Sequence, residues 1–284
     1  MKAWRSFEQD IFGELKVRYK DAEVLHDVKL EGRLSDVKRQ ADIVLRRKKF
    51  GREIVTVFEA KFYSKKVDVK DVDSFVGFLD DVGADQGVLY TNVGFSDAAK
   101  RRAEAASPRI EVDIYPLFEY APFQAECAIP YHGDRGVVVL APIGWVVDGR
   151  NYGRGQPPCY LYRRGQTLEK ATTSGVVAYL QFWKKDDTAK SIEELIDFQT
   201  TRLTQHYGGD CDAEIAYDLG ACGQRISVRD TKLPNGMREV AGYSEFEDFI
   251  CFSVLVDLGG YSFRPVTKMQ ELIGSILPVH MRHE

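Results

Sequence analysis

The 284-residue chain lacks the groupings that mark several common protein classes. Its five cysteines, Cys127, Cys159, Cys211, Cys222 and Cys251, are odd in number and widely spaced, and no C-x-x-C occurs. That speaks against a disulfide framework or a zinc module and for free thiols in a reducing compartment. The five histidines, His26, His132, His206, His280 and His283, form no H-E-x-x-H or similar cluster. No apolar run reaches the roughly 18 residues of a membrane span, and the N-terminus has no apolar signal core. No membrane partner is expected, and the expected location is the cytoplasm. Nor is there a strong excess of one charge: a net charge of -4 means that any surface for a polyanion must be local. Internal repeats and low-complexity tracts are absent too. What is present is a globular composition, 44% hydrophobic and so able to build real cores, in a length that fits one large domain or two ordinary ones.

Two apolar, β-branched runs stand out, residues 41–45 (ADIVL) and 54–58 (IVTVF), and read as strands. The basic stretch 46–52 (RRKKFGR) between them reads as their turn. The second run continues into Glu59-Ala60-Lys61. Side chains alternate across a strand, so Glu59 and Lys61 share one face and Ala60 takes the other. If the strands pair as a hairpin, Asp42 lies near Glu59, and two carboxylates converge with one ammonium group. Such a set can hold a hard divalent cation and activate a water against a phosphodiester. The plain alternative is a charged end to an apolar strand, since E-x-K is common. Lys38, Arg39, Arg46, Arg47, Lys48, Lys49, Arg52, Lys61, Lys65 and Lys66 make the same region locally basic. The plain counterpart there is a solvated hairpin tip.

Around these strands the periodicity predicts a helix over 4–20, with Trp4, Phe7, Ile11, Leu15 and Tyr19 on one stripe. A strand over 23–30 and a basic, flexible stretch up to residue 40 follow. After the E-x-K run come a helix over 69–82 stopped by Gly83, a strand over 86–91, a helix capped by Ser96, and a strand over 110–117. Strands alternating with helices imply a mixed sheet flanked by helices. The prolines at 116, 122 and 130 suggest a boundary, drawn at 123/124.

The second half reads as an α+β module with a mostly antiparallel sheet. Residues 133–148 are apolar and strand-like, and 175–183 fit either a short helix or a strand. The helix over 191–207 opens on a Ser191/Glu194 capping box and closes on Gly208. Strands are expected over 214–217, 224–228, 238–243 and 249–258, and a helix over 267–276. Trp145, Tyr152, Arg154, Tyr160, Tyr162, Arg163 and Arg164 give a mix that could stack on bases, or else core with a solvated rim.

Four stretches carry a resemblance. They are 39–43 (RQADI), 58–65 (FEAKFYSK), 67–72 (VDVKDV), and 83–92 (GADQGVLYTN) with Gly94, Phe95, Ser96 and Ala98. In this order and spacing they resemble the Mrr-type restriction-endonuclease domains of the PD-(D/E)XK nuclease superfamily, over roughly residues 1–120. No Pro precedes Asp42, at a position that is degenerate in that superfamily. The resemblance implies an N-terminal nuclease domain, 1–123, followed by an α+β partner-binding or regulatory domain, 124–284. The second half faintly resembles Mog1/PsbP-like α/β sandwiches, and no functional residue is carried over from them.

The resemblance implies a catalytic set of Asp42, Glu59 and Lys61. Mg2+ or Mn2+ would be held by Asp42, Glu59 and the backbone carbonyl of Ala60, with Lys61 orienting the attacking water. Glu8 matches an acidic residue often found on the first helix of such domains and is either a further metal contact or an exposed carboxylate. Gln40 orients Asp42, touches the substrate, or is a surface side chain. Arg39, Arg46, Arg47, Lys48, Lys65 and Lys66 are the expected nucleic-acid contacts. The implied function is a metal-dependent endonuclease on DNA, with RNA left open. It would act as a homo-oligomer or as a subunit of a bacterial defence complex. The alternative is a silent module of the same fold that binds nucleic acid or assembles a larger complex.

Overall fold

In this computed structural model the described residues are 3–20, 22–106, 110–114, 126–142, 144–150, 155–163, 166–186, 188–257 and 265–280. The chain divides into two compact units, Met1–Tyr120 and Ala121–Gly260 with Pro265–Glu284. The expected boundary at 123/124 lies outside the described residues.

The first unit opens with α1 (Ala3–Arg18), which buries Phe7, Ile11 and Leu15, with Tyr19 just past its end. Trp4, expected on the same stripe, is 45% exposed. It sits in the first turn, and Arg5 lies 5.1 Å from its ring centre instead of core. Then β1 (Glu23–Glu31), β2 (Lys38–Lys49) and β3 (Arg52–Lys61) form an antiparallel meander. Next, β3 pairs in parallel with β4 (Gln86–Thr91), and β4 in parallel with β5 (Ile110–Ile114), giving a five-stranded mixed sheet in the order β1-β2-β3-β4-β5. The parallel joins need crossovers, supplied by α2 (Val69–Val82) and α3 (Asp97–Ala106). The expected mixed sheet flanked by helices is what forms.

Local chemistry sets the bounds of α2. Asp68 accepts the N–H groups of Lys70 and Asp71, and Asp71 in turn accepts that of Asp68, which closes a capping box. At the other end Gly83 adopts φ 64, the left-handed cap that a side chain would oppose. Between them Val72, Phe75, Phe78, Leu79 and Val82 pack with Val44, Val57 and Leu89 of the sheet and Ala99 and Ala103 of α3. Gly87 of β4 allows this approach: a Cβ there would lie 2.3 Å from a Leu79 methyl and 2.8 Å from the Phe75 ring.

Two expectations for this unit are corrected. Residues 46–52 are not a turn. The strands run to Lys49 and from Arg52, joined by Phe50 and Gly51 at φ 50 and 75, the two positive values a tight primed turn requires. The basic side chains alternate along the strand, so Arg47 is only 8% exposed and lies 5.7 Å from the Tyr19 ring centre. Nor is the stretch before residue 40 irregular: it forms a turn tied to Asp81 and then the start of β2. Asp81 accepts the N–H groups of Leu34 (3.1 Å) and Ser35 (3.0 Å), the Ser35 hydroxyl (2.8 Å) and the Arg39 guanidinium, while its own carbonyl accepts the Arg33 N–H at 2.6 Å. The carboxylate of Asp81 is buried, so its charge is satisfied by this turn.

Among its described residues the second unit has, besides β15, the strands β6 (Glu126–His132), β7 (Arg135–Leu140), β8 (Trp145–Asp148), β9 (Cys159–Arg163), β10 (Val177–Lys184), β11 (Asp212–Leu219), β12 (Arg225–Lys232), β13 (Arg238–Glu245) and β14 (Phe249–Asp257). With β15 (Leu277–His280) they make an antiparallel seven-stranded sheet, β11-β12-β13-β14-β10-β9-β8, and a three-stranded one, β15-β7-β6. The described helices of this unit are α4 (Leu168–Ser174), α5 (Ile192–Tyr207) and α6 (Pro265–Gly274). This is the expected α+β module. The stretch 175–183 is strand from Val177 on, with Gly175 capping α4; α4, β6, β9 and β15 are not anticipated by the sequence reading. Ser191 caps α5 as expected, but the Glu194 carboxylate takes the N–H of Lys190 (2.7 Å) rather than that of Ser191. Trp145 and Tyr162 are buried, so they are core and not a stacking platform. Tyr152, Arg154 and Arg164 lie outside the described residues.

Candidate active site

The site is built where β2 forks. Its ladder to β1 runs on to Glu31↔Lys38, but its ladder to β3 stops at Ile43↔Phe58. Asp42 is the first residue past that stop, and Glu59 is its counterpart on β3. With the β2–β3 ladder ended at this level, the Ala60 N–H is accepted by Asp42 Oδ2 at 2.8 Å, while on its other edge Ala60 still pairs with Tyr90 of β4. The β1 side is irregular at the same level. Asp27, at φ 55, interrupts the β1–β2 ladder and accepts the side-chain amide of Gln40.

Glu59 and Lys61 share one face of β3, and their carboxylate and ammonium groups form an ion pair, each about three-quarters buried. From α1, Glu8 brings a carboxylate whose Oε1 lies 2.7 Å from His26 Nε2 of β1. Phe12 packs on that imidazole at 5.1 Å between ring centres. Asp42, Glu59, Lys61, Glu8 and His26 thus come together from α1, β1, β2 and β3. His26 was not singled out from the sequence. Its one signal was a lone imidazole between Val24 and Val28 at two-residue spacing.

The charges bear on one another. Burial pushes the Asp42 carboxyl above its usual range and the charge of Glu8 pushes the same way, while the Ala60 N–H, Lys61 and His26 pull it back. For Lys61, burial alone would lower the ammonium, but the adjoining Glu59 outweighs it and holds Lys61 above its usual value. Just past the strand, Tyr63 exchanges hydrogen bonds with Asn92, its N–H to Oδ1 at 2.9 Å and its carbonyl from Nδ2 at 3.1 Å. Its hydroxyl donates to the capping residue Asp71 at 3.3 Å. The loop beyond Lys61 is therefore tied to the start of α2, and Lys65 and Lys66 stand exposed on it.

The other basic residues lie elsewhere. Arg39 is taken up by Asp81, with its guanidinium 5.1 Å from the Phe78 ring centre. Arg46, Arg47 and Lys48 sit toward the hairpin end, roughly 13–20 Å along β2 from Asp42 at about 3.3 Å per residue. Arg46 faces Glu53 at 3.8 Å, Arg47 is buried, and Lys48 is exposed. Gln40 is exposed and held by Asp27.

No group of three or more His, Cys, Asp or Glu side chains is arranged to hold a metal among the described residues. The donor chemistry nevertheless suits a hard cation. Asp42 and Glu59 offer carboxylate oxygens, and the mutual repulsion of the Asp42 and Glu8 charges is of the kind a divalent ion relieves.

Residues 22–118 match the Mrr catalytic family, described as restriction endonuclease, so the N-terminal unit carries a nuclease-family domain of the Mrr type. The match does not extend into the second unit. No curated protein matches the chain. Among solved structures, a protein of unknown function, AF1548, is 22% identical over 39% of this chain and 60% of its own, with a TM-score of 0.32. The PsbP protein of Synechocystis sp. PCC 6803 (CyanoP) is 10% identical over 55% of this chain and 94% of its own, with a TM-score of 0.36. The chain thus spans about three-fifths of the length of AF1548. Neither likeness is close enough to carry an argument. No described helix is long and apolar enough to cross a membrane.

Proposed function

We propose that the first unit is a metal-dependent endonuclease that hydrolyses phosphodiester bonds, with DNA as its substrate. The observation that carries this reading is the fork at Asp42. It leaves a carboxylate beside the Glu59–Lys61 pair in a domain of a nuclease family. Asp42, Glu59 and the carbonyl of Ala60 would hold Mg2+ or Mn2+. When bound, that ion supplies Lewis acidity, making a water more acidic and offsetting charge on the phosphoryl oxygens. Lys61, kept charged by Glu59, orients the attacking water and balances charge as it develops. Lys65 and Lys66, exposed beyond the catalytic strand, contact flanking phosphates. Cutting both strands of a duplex calls for two such sites, so a homodimer or a place in a larger defence assembly in the cytoplasm goes with this reading. The second unit would recruit partners or regulate the nuclease.

The test is cleavage of supercoiled plasmid by the full chain with Mg2+ or Mn2+, beside Asp42→Asn, Lys61→Ala and an EDTA control. Metal-dependent nicking that falls at least about 100-fold in both folded variants is expected. Equal cutting by folded Lys61→Ala would overturn the catalytic assignment. A folded wild-type protein that binds DNA without metal and never cuts would favour the second reading, a silent assembly module. The engagement of Glu59 by Lys61 gives that reading its one point of support.

A further inference from the structure

We infer that the edge strand β11 is the surface through which this chain associates with a second copy of itself. Two copies pair β11 against β11, antiparallel, about a two-fold axis at Tyr217, and so join their seven-stranded sheets. The inference concerns the second unit alone and depends on neither metal nor cleavage. It goes beyond the nuclease reading by naming where the two copies meet.

Among the described residues β11 ends the sheet and has one strand neighbour, β12. Side chains alternate along it, so Ala213, Ile215, Tyr217 and Leu219 share a face, and Asp212, Glu214, Ala216 and Asp218 take the other. Ile215, Tyr217 and Leu219 are 42%, 47% and 58% exposed. Opposite them on β12 lie Arg229, Ser227 and Arg225. The cover on this face is α5, which packs on β12 and β13, and Arg229 donates to Thr200 Oγ1 at 3.1 Å beneath it. The apolar row on β11 lies beyond that cover. Proteins usually blunt an open edge with lysine, proline, a bulge or a very short strand. At the other end of the same sheet, β8 is four residues long and buried. In the first unit, Asp27 interrupts the edge strand β1. By contrast β11 has eight residues, pairs with β12 in unbroken register, and contains neither lysine nor proline.

Complementarity names the occupant. An alternating apolar row is covered by a strand with the same alternation, and a second β11 has it. Charge then sets the register, because like charges directly opposite one another destabilise a strand pair. A two-fold antiparallel pairing sets each residue opposite the one equally far beyond the axis. An axis at Ala213 would oppose Asp212 with Glu214, one at Ile215 would oppose Asp212 with Asp218, and one at Ala216 would oppose Glu214 with Asp218. An axis at Asp212, Glu214 or Asp218 would oppose a carboxylate with its own copy. An axis at Leu219 opposes no acids but pairs only that residue within β11. The axis at Tyr217 opposes no acids and brings residues 215–219 of both copies into the ladder. Tyr217 then meets Tyr217 of the second copy, and Ile215 meets Leu219, so all three exposed apolar side chains are covered.

The experiment is sedimentation of the full chain over a concentration series, without metal or DNA, with circular dichroism as the check on each variant's fold. The wild type is expected to be a dimer at micromolar concentration. Tyr217→Asp, which sets two carboxylates on the axis, should raise the dissociation constant at least about 10-fold, while Tyr217→Phe leaves it unchanged. Ile215→Lys should also weaken the dimer. Adding Leu219→Glu to Ile215→Lys should restore it, because this register sets the introduced lysine against the introduced glutamate of the second copy. A wild type that stays monomeric overturns the inference and leaves the edge to a strand of another protein. A dimer that folded Tyr217→Asp does not weaken overturns it too, since the interface then lies elsewhere. Failure of Leu219→Glu to rescue Ile215→Lys overturns the axis at Tyr217. Plasmid cleavage is read separately, so any of these failures leaves the nuclease reading standing.

Discussion

The carboxylate of Asp42 accepts the backbone N–H of Ala60 at 2.8 Å, across a gap where β2 has just parted from β3. One contact thereby ties the first acidic residue to the middle of the Glu59-Ala60-Lys61 run. It also leaves the Glu59–Lys61 ion pair as the adjoining charge on the same strand.

Because Lys61 pairs with Glu59, removing each should have a different consequence. Glu59→Gln is expected to lose both Mn2+ binding and cleavage. Lys61→Ala should lose cleavage yet bind Mn2+ at least as well as wild type, since it frees the Glu59 carboxylate. Calorimetry beside plasmid nicking separates the two. Loss of metal binding in folded Lys61→Ala would show that the ammonium group maintains the ligands rather than serving the water.

Lys65 and Lys66 stand on the loop tied to the site, and Lys48 lies toward the far end of the hairpin. Lys65→Glu with Lys66→Glu should weaken binding to a short duplex and lower the salt slope by about two, as expected for two lost phosphate contacts. Lys48→Glu should change it far less. Fluorescence anisotropy across a salt series is the measurement, and equal effects at the two ends would place the duplex along the whole hairpin.

Asp81 links acid stability to the turn before β2. The Ser35 hydroxyl bond lowers its carboxyl most; burial opposes that, and the Leu34 and Ser35 N–H groups and Arg39 complete the drop to about 2. A carboxyl depressed in the folded state stabilises the fold above its unfolded value, near 3.9, and loses that contribution as the pH falls toward about 2. Asp81→Asn should therefore melt several degrees below wild type at pH 7. The gap should close between about pH 4 and pH 2. A pH-independent difference in melting temperature would refute the linkage.

Gly87 leaves no room for a side chain beneath α2. Gly87→Ala should destabilise the first unit by about 1–3 kcal/mol, because a Cβ would press on Leu79 and Phe75. Urea unfolding followed by circular dichroism reads this. A neutral result would mean that α2 shifts outward without loss.

Much of the fold was legible locally. The stripe of Phe7, Ile11 and Leu15, the stop at Gly83, the caps at Ser96 and Ser191 and the final strands of the second unit all follow from rules that act within a few residues. The basic stretch 46–52 reads as a turn because lysine and arginine look solvated in a sequence, yet the strands run through Lys49 and resume at Arg52. A strand with one buried face can still lay an arginine over an aromatic ring, as Arg47 does over Tyr19. The stretch before residue 40 looked flexible because its anchor, Asp81, lies more than forty residues later on α2.

The sequence by itself determined the order of helices and strands, the positions of the caps and the placing of Glu59 and Lys61 on one face, since periodicity and capping are local. Only the tertiary structure decided that β2 forks at Asp42, that Glu8 and His26 meet there from α1 and β1, and that Arg39 belongs to Asp81. Those outcomes depend on strand register and on which distant charge satisfies a buried one, and neither is encoded within a few residues of the groups concerned.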